Sequence, residues 1–98
     1  MKSSLILVMD LLIHLPLSNS LKDKRRVRLS ITDRLKSKYN ISLVETDQLD
    51  VKNELVLTLA YVAISESSAH QMKDKIIDQV LLIVETHHGT LEVDDTLL

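Results

Sequence analysis

Residues 41–64 read ISLVETDQLDVKNELVLTLAYVAI. Ile41–Asp47 is a short, half-polar strand, and Leu55–Ile64 is a second strand with apolar residues at both parities. The link between them, Gln48–Asn53, is polar and too short to hold a crossover helix, so the two strands pair antiparallel. Apolar residues at both parities mean that the second strand meets apolar neighbours on both faces, as a central strand does.

Working outward from this pair, each side carries one helix and one further strand. On the N-terminal side Ser20 caps a helix, with Asp23 three residues on as a capping-box-like partner. Val27, Ile31 and Leu35 form its apolar stripe, and it fades near Lys38–Asn40. Before it lies Leu5–Leu15, LILVMDLLIHL, again apolar at both parities and ended by Pro16. On the C-terminal side Ser65, Ser67 and Ser68 compete to cap a second helix, whose buried face steps through Ala69, Met72, Ile76, Val80, Ile83 and His87. Gly89 is placed as its C′ residue. Thr90–Asp94 (TLEVD) alternates as an edge strand, followed by a short tail, Asp95–Leu98. The order β-α-β-β-α-β predicts an α+β, ferredoxin-like domain over residues 1–98, a four-stranded antiparallel sheet with two helices on one face. In that topology strands one and three are central, and these are the two most apolar strands.

Composition narrows the function classes. The chain has 98 residues with one Gly, one Pro and no Cys. This rules out disulfides and thiolate chemistry, and a cytoplasmic location is expected. Lys2 precedes the first apolar run, but Asp10 and His14 interrupt it and no small-residue cleavage site follows. The run is read as a strand and not as a leader or a membrane span. The net charge of −2 conceals an asymmetry: residues 22–38 hold eight of the twelve Lys/Arg against Asp23 and Asp33, so this segment is strongly basic and the remainder acidic. Five of those cations, Lys22, Lys24, Arg25, Arg26 and Arg28, open the first helix. There the macrodipole favours acids, and each cation costs a few tenths of a kcal/mol. The misfit points to an anion, a nucleic acid or a set of internal acids facing the cluster. The topology brings Glu45, Asp47 and Asp50 to the same end of the domain as candidate internal partners. Wheel positions turn Lys22, Arg25, Arg26 and Lys36 away from the apolar stripe, while Lys24, Arg28, Arg34 and Lys38 sit on or beside it and must snorkel.

The pieces Ser20-Leu21-Lys22-x-Lys24-Arg25-Arg26, Asn40-x-Ser42-x-x-Glu45-x-Asp47-x-x-Asp50 and Ala69-His70 resemble the YlxP-like family, small bacterial ferredoxin-like proteins of unknown function. Where similar proteins carry an aromatic residue near position 52 and a Gly in strand three, this chain has Lys52 and Thr58. Members of that family are often encoded beside translation and ribosome-maturation genes. The resemblance therefore implies a translation-related role, with RNA or a ribosomal particle as partner.

The sheet face without helices is a second candidate surface. If odd residues of strand one face the helices, Ile6, Val8 and Leu12 lie on it; the opposite parity leaves Leu5, Leu7, Leu11 and Ile13 there. Either way an apolar patch remains for a homo-oligomer or another protein. With no Phe or Trp, base stacking on that face is not expected. No nucleophile–base arrangement can be read, and the Leu17-Ser18-Asn19 loop lacks the Gly of a phosphate cradle. His87 and His88 diverge around the helix, and His14 and His70 lack ligand-spaced partners. No catalytic residue, cofactor or metal is expected. The sequence thus favours a non-catalytic accessory factor that uses the basic helix. An interaction or self-assembly module is the alternative, and a small phosphoester-processing enzyme is less favoured.

Overall fold

β1 (Leu5–His14) alternates strictly: Leu7, Met9, Leu11 and Ile13 are buried, whereas Ile6 and Leu12 face solvent. In this computed structural model, which describes residues 4–98, the odd parity of β1 faces the helices. Lys2, the flank of the first apolar run, lies outside the described residues. The remaining elements are α1 (Leu21–Lys38), β2 (Ser42–Asp47), β3 (Glu54–Ala63), α2 (Glu66–Thr86) and β4 (Thr90–Leu97). The sheet order is β2-β3-β1-β4 and every pairing is antiparallel, so the two most apolar strands are central and the fold is ferredoxin-like.

One layer of side chains joins sheet and helices. Leu7, Met9, Leu11 and Ile13 of β1 and Leu55, Leu57 and Leu59 of β3 pack against Val27, Ile31 and Leu35 of α1 and Ala69, Ile76, Val80 and Val84 of α2. Burying a side chain of this size stabilises by about 1.5–3 kcal/mol, which makes this layer the main source of stability. Among the caps, Ser20 Oγ accepts from Asp23 N, but the Asp23 carboxylate reaches back to Asn19 N and not to the cap residue itself. Of the three competing serines Ser65 is the cap, and it forms a reciprocal capping box with Ser68.

Three sequence expectations are corrected. The buried face of α2 turns through Val84, while Ile83 is half-buried and His87 exposed. A step of 3 or 4 from Val80 permits either branch, and packing selects Val84. The C′ residue is His88, in the left-handed region at φ 56°, and Gly89 is the next one. Gly89 N donates to Val84 O at 2.9 Å and His88 N to Glu85 O at 3.0 Å, a Schellman closure. Third, β4 runs on to Leu97, because Leu97 pairs with Leu7 and residues Leu98 and Ile6 exchange two backbone hydrogen bonds. The polar pair Asp94-Asp95 conceals that continuation. His88→Gly should relieve the left-handed strain and raise stability by about 0.5–1 kcal/mol. Thermal unfolding would show this as a rise of about 2–8 °C.

Candidate nucleic-acid interface

The first turns of α1 carry the candidate cations, and the structure divides them into two sets. Lys24 is one residue of the buried face of α1, only 3% exposed. It does not snorkel. Its ammonium donates to Gln48 O at 2.9 Å and Leu49 O at 3.1 Å, and it lies 2.9 Å from Glu45 Oε2. The second Glu45 oxygen, Oε1, lies 3.4 Å from Arg28 Nε. The Glu45 Oε2 contact is short but off the hydrogen-bond axis, leaving that oxygen buried without a hydrogen bond and held by charge alone. Lys24 is therefore tied to Glu45 of β2 and to the loop after it, and Arg28 to Glu45, so three members of the cluster are left without an ion pair among the described residues.

Those three, Lys22, Arg25 and Arg26, are exposed, and among the described residues none forms an ion pair. Lys36 shares their side of the helix, about 21 Å further along at 1.5 Å per residue counted from Lys22. Arg34 instead donates through Nε to Gln79 Oε1 of α2.

Of the three candidate acids only Glu45 joins the cations. A bulge between Glu45 and Asp47 inserts one residue into β2, so Asp47 lies opposite Val56 on the open sheet face. Without the bulge its parity would match Leu43 and Glu45 on the helix side. Asp50 is exposed in the turn that follows. That turn is held from both sides. Gln48 adopts φ 53°, its N–H donates to Asp47 Oδ1 at 2.8 Å, and Ser18 Oγ donates to Lys52 O at 2.6 Å. Sequence reasoning missed the Gln48 and Leu49 carbonyls as partners of Lys24, since any residue type supplies a carbonyl.

The open face carries Ile6, Val8 and Leu12 with Val56, Ala60 and Val62 of β3. Polar groups cross its middle: Thr58 Oγ1 donates to Asp10 Oδ1 at 2.7 Å and lies 2.7 Å from Thr46 Oγ1. His14, which had no partner assigned from sequence, pairs with Glu54 directly across β1–β3 at 2.7 Å. No helix among the described residues is long and apolar enough to cross a membrane.

Comparison with known proteins agrees with the fold. A family model described as a protein of unknown function (DUF503) matches residues 6–95. No curated protein matches the sequence. Among solved structures, a hydantoinase/carbamoylase family amidase from Burkholderia ambifaria is similar at TM-score 0.63 and 7% identity, over 96% of this chain and 28% of that one. A C-terminal segment of the alpha subunit of aIF2 from Pyrococcus abyssi is similar at TM-score 0.57 and 14% identity, over 100% of this chain and 51% of that one. A de novo designed protein with ferredoxin fold gives TM-score 0.52 and 13% identity, over 94% of this chain and 83% of that one. The chain thus spans under a third of the amidase and about half of the aIF2 alpha-subunit segment. At these identities the likeness is one of fold alone.

Proposed function

The chain belongs to the DUF503 family of proteins of unknown function, and from its surfaces we propose that it is a non-catalytic accessory factor binding RNA or a ribosomal particle through α1. The observation that carries this reading is the partition of the cations. Lys24 and Arg28 share the carboxylate of Glu45, whereas Lys22, Arg25 and Arg26 stand in solvent at a helix start, where stability alone would not place them. Phosphates meet both needs: they pair with the side chains and accept from the free first-turn amides. The YlxP-like resemblance points to translation and so to RNA. The open face has neither Phe nor Trp to stack bases, so binding is electrostatic and reads the backbone rather than sequence.

Reversing Arg25 and Arg26 to Glu tests this directly. Both side chains are exposed, so the fold should hold, with circular dichroism and melting close to the unmodified protein. Removing about two of three phosphate contacts should weaken binding to a structured ribosomal RNA fragment more than about tenfold at moderate salt. Reversing exposed Lys75 of α2 should do much less. Equal losses from both changes would contradict the reading.

The alternative, an interaction module, rests on the open sheet face with Ile6, Val8 and Leu12. That surface is separate from α1, so the two readings are compatible.

A further inference from the structure

The register of the four strands sorts the open face into two halves. Toward one end Val62, Ile6, Ala60 and Val8 are neighbours across β3 and β1. Toward the other end Leu12 and Val56 are cross-strand neighbours, with carboxylates around them. Asp10 lies opposite Asp94, Leu12 opposite Glu92, and Val56 opposite Asp47. Glu54 closes the row beside His14. Asp10, Asp47, Glu54 and Asp94 line a groove of about 460 Å³ whose floor includes Leu12 and Val56. No Lys or Arg stands at any of these register positions, and among the described residues His14 is the only group on them able to carry a positive charge.

A face kept only for solubility would mix both signs. This one sets Asp10 directly opposite Asp94, a like-charge cross-strand pair that destabilises the sheet. It also leaves Ile6 40% and Val62 65% exposed. Unpartnered apolar side chains and one sign of charge together specify an occupant that is both apolar and cationic. Nucleic acid is excluded, because its phosphates would meet five carboxylates. A second copy placed face to face is disfavoured, because either two-fold arrangement sets the carboxylates of one face against carboxylates or apolar side chains of the other, with no Lys or Arg at the described positions to pair with them. A metal does not fit either: among the described residues no three His, Asp or Glu side chains are placed to hold one.

We propose that the open sheet face docks a basic polypeptide segment, its apolar side chains seated on Leu12, Val56 and Val8 and its Lys or Arg residues on the carboxylates. The proposal does not depend on RNA binding, which uses the opposite side of the domain. It makes the chain bipolar, with cations on α1 for phosphate and carboxylates on the sheet for a cationic protein.

The test uses the full chain and a labelled twelve-residue peptide of alternating Lys and Val, with a Glu–Val peptide as control, followed by fluorescence anisotropy. The Lys–Val peptide should bind and the Glu–Val peptide should not. Glu92→Lys with Asp94→Lys should weaken binding about tenfold or more. Leu12→Asn should weaken it without changing charge. Asp74→Lys with Asp78→Lys, equal in charge change but on exposed α2 positions, should leave binding within about twofold. Arg25→Glu with Arg26→Glu should weaken RNA binding more than about tenfold and leave peptide binding intact, which separates failure of one proposal from failure of the other. Equal weakening by the sheet and α2 reversals, or no peptide binding, overturns the inference. So does a stable dimer in sedimentation that Leu12→Asn dissociates and the peptide does not compete with; that result assigns the face to a second copy.

Discussion

Glu45→Ala is expected to lower stability by about 3 kcal/mol, because it leaves the Lys24 ammonium buried with its charge uncompensated. Lys24 is 3% exposed, and among the described residues its only other partners are the carbonyls of Gln48 and Leu49. Two neutral acceptors do not replace a carboxylate 2.9 Å away. For a domain of this size the loss corresponds to a fall in melting temperature of roughly 12–24 °C, readable by thermal unfolding. Arg28 also loses its partner, but it is a third exposed and water takes over that contact at little cost. The double change Lys24→Met with Glu45→Leu removes both charges and keeps the volume, so it should lie within about 1 kcal/mol of the unmodified protein, or above it. If Glu45→Ala alone costs under about 1 kcal/mol, the pair is solvated and the division of the cations fails.

Gly89→Ala is expected to cost about 2–3 kcal/mol, for a steric reason unrelated to backbone freedom. Gly89 does not have positive φ; His88 takes the left-handed position of the helix end. A Cβ at Gly89 would instead lie 2.6 Å from His14 O, 3.1 Å from Val84 Cγ1 and 3.3 Å from Val84 O. Two of these atoms are backbone, one at the end of β1 and one in α2, so neither can swing aside. The strain falls where α2, β1 and β4 converge. Chemical denaturation should show a lower midpoint with an unchanged slope. A midpoint equal to that of the unmodified protein would mean that the α2–β4 corner has slack. Gly89→Ala in a His88→Gly background should show the same loss, since the two act through different atoms.

Much of this molecule is written in its apolar periodicity. The central places of β1 and β3 follow from their apolar residues at both parities, though that same feature leaves open which parity of β1 faces the helices, and the polar brevity of Gln48–Asn53 forces the antiparallel β2–β3 pair. Helix starts were legible because serine side chains have the oxygen that a free amide needs. What stayed hidden depends on contacts distant in sequence. Asp47 and Glu45 share a parity, and only the bulge in β2 sends Asp47 to the opposite face. Lys24 and Arg25 are adjacent and chemically alike. One is buried and the other free because of where the β2–β3 loop lies, not because of anything local to α1. The end of β4 was masked because Asp94-Asp95 looks like the end of a strand, while the backbone partners of Leu97 and Leu98 lie some ninety residues away.

The candidate surfaces follow the same division. The excess of cations in residues 22–38 was visible at once, but its meaning changed when Glu45 was found to take up two of the five. The carboxylate ring around Leu12 could not be read at all. Asp10, Asp47, Glu54, Glu92 and Asp94 are scattered along four strands and meet only through register.

The central claim is that three free cations at the start of α1 bind phosphate, and the dependence of RNA affinity on salt measures how many contacts form. Three contacts predict a slope of log K against log salt between about −2.1 and −2.7, so affinity should fall roughly twenty- to fortyfold from 50 to 200 mM. A slope near zero, or no binding at 50 mM, would contradict the account.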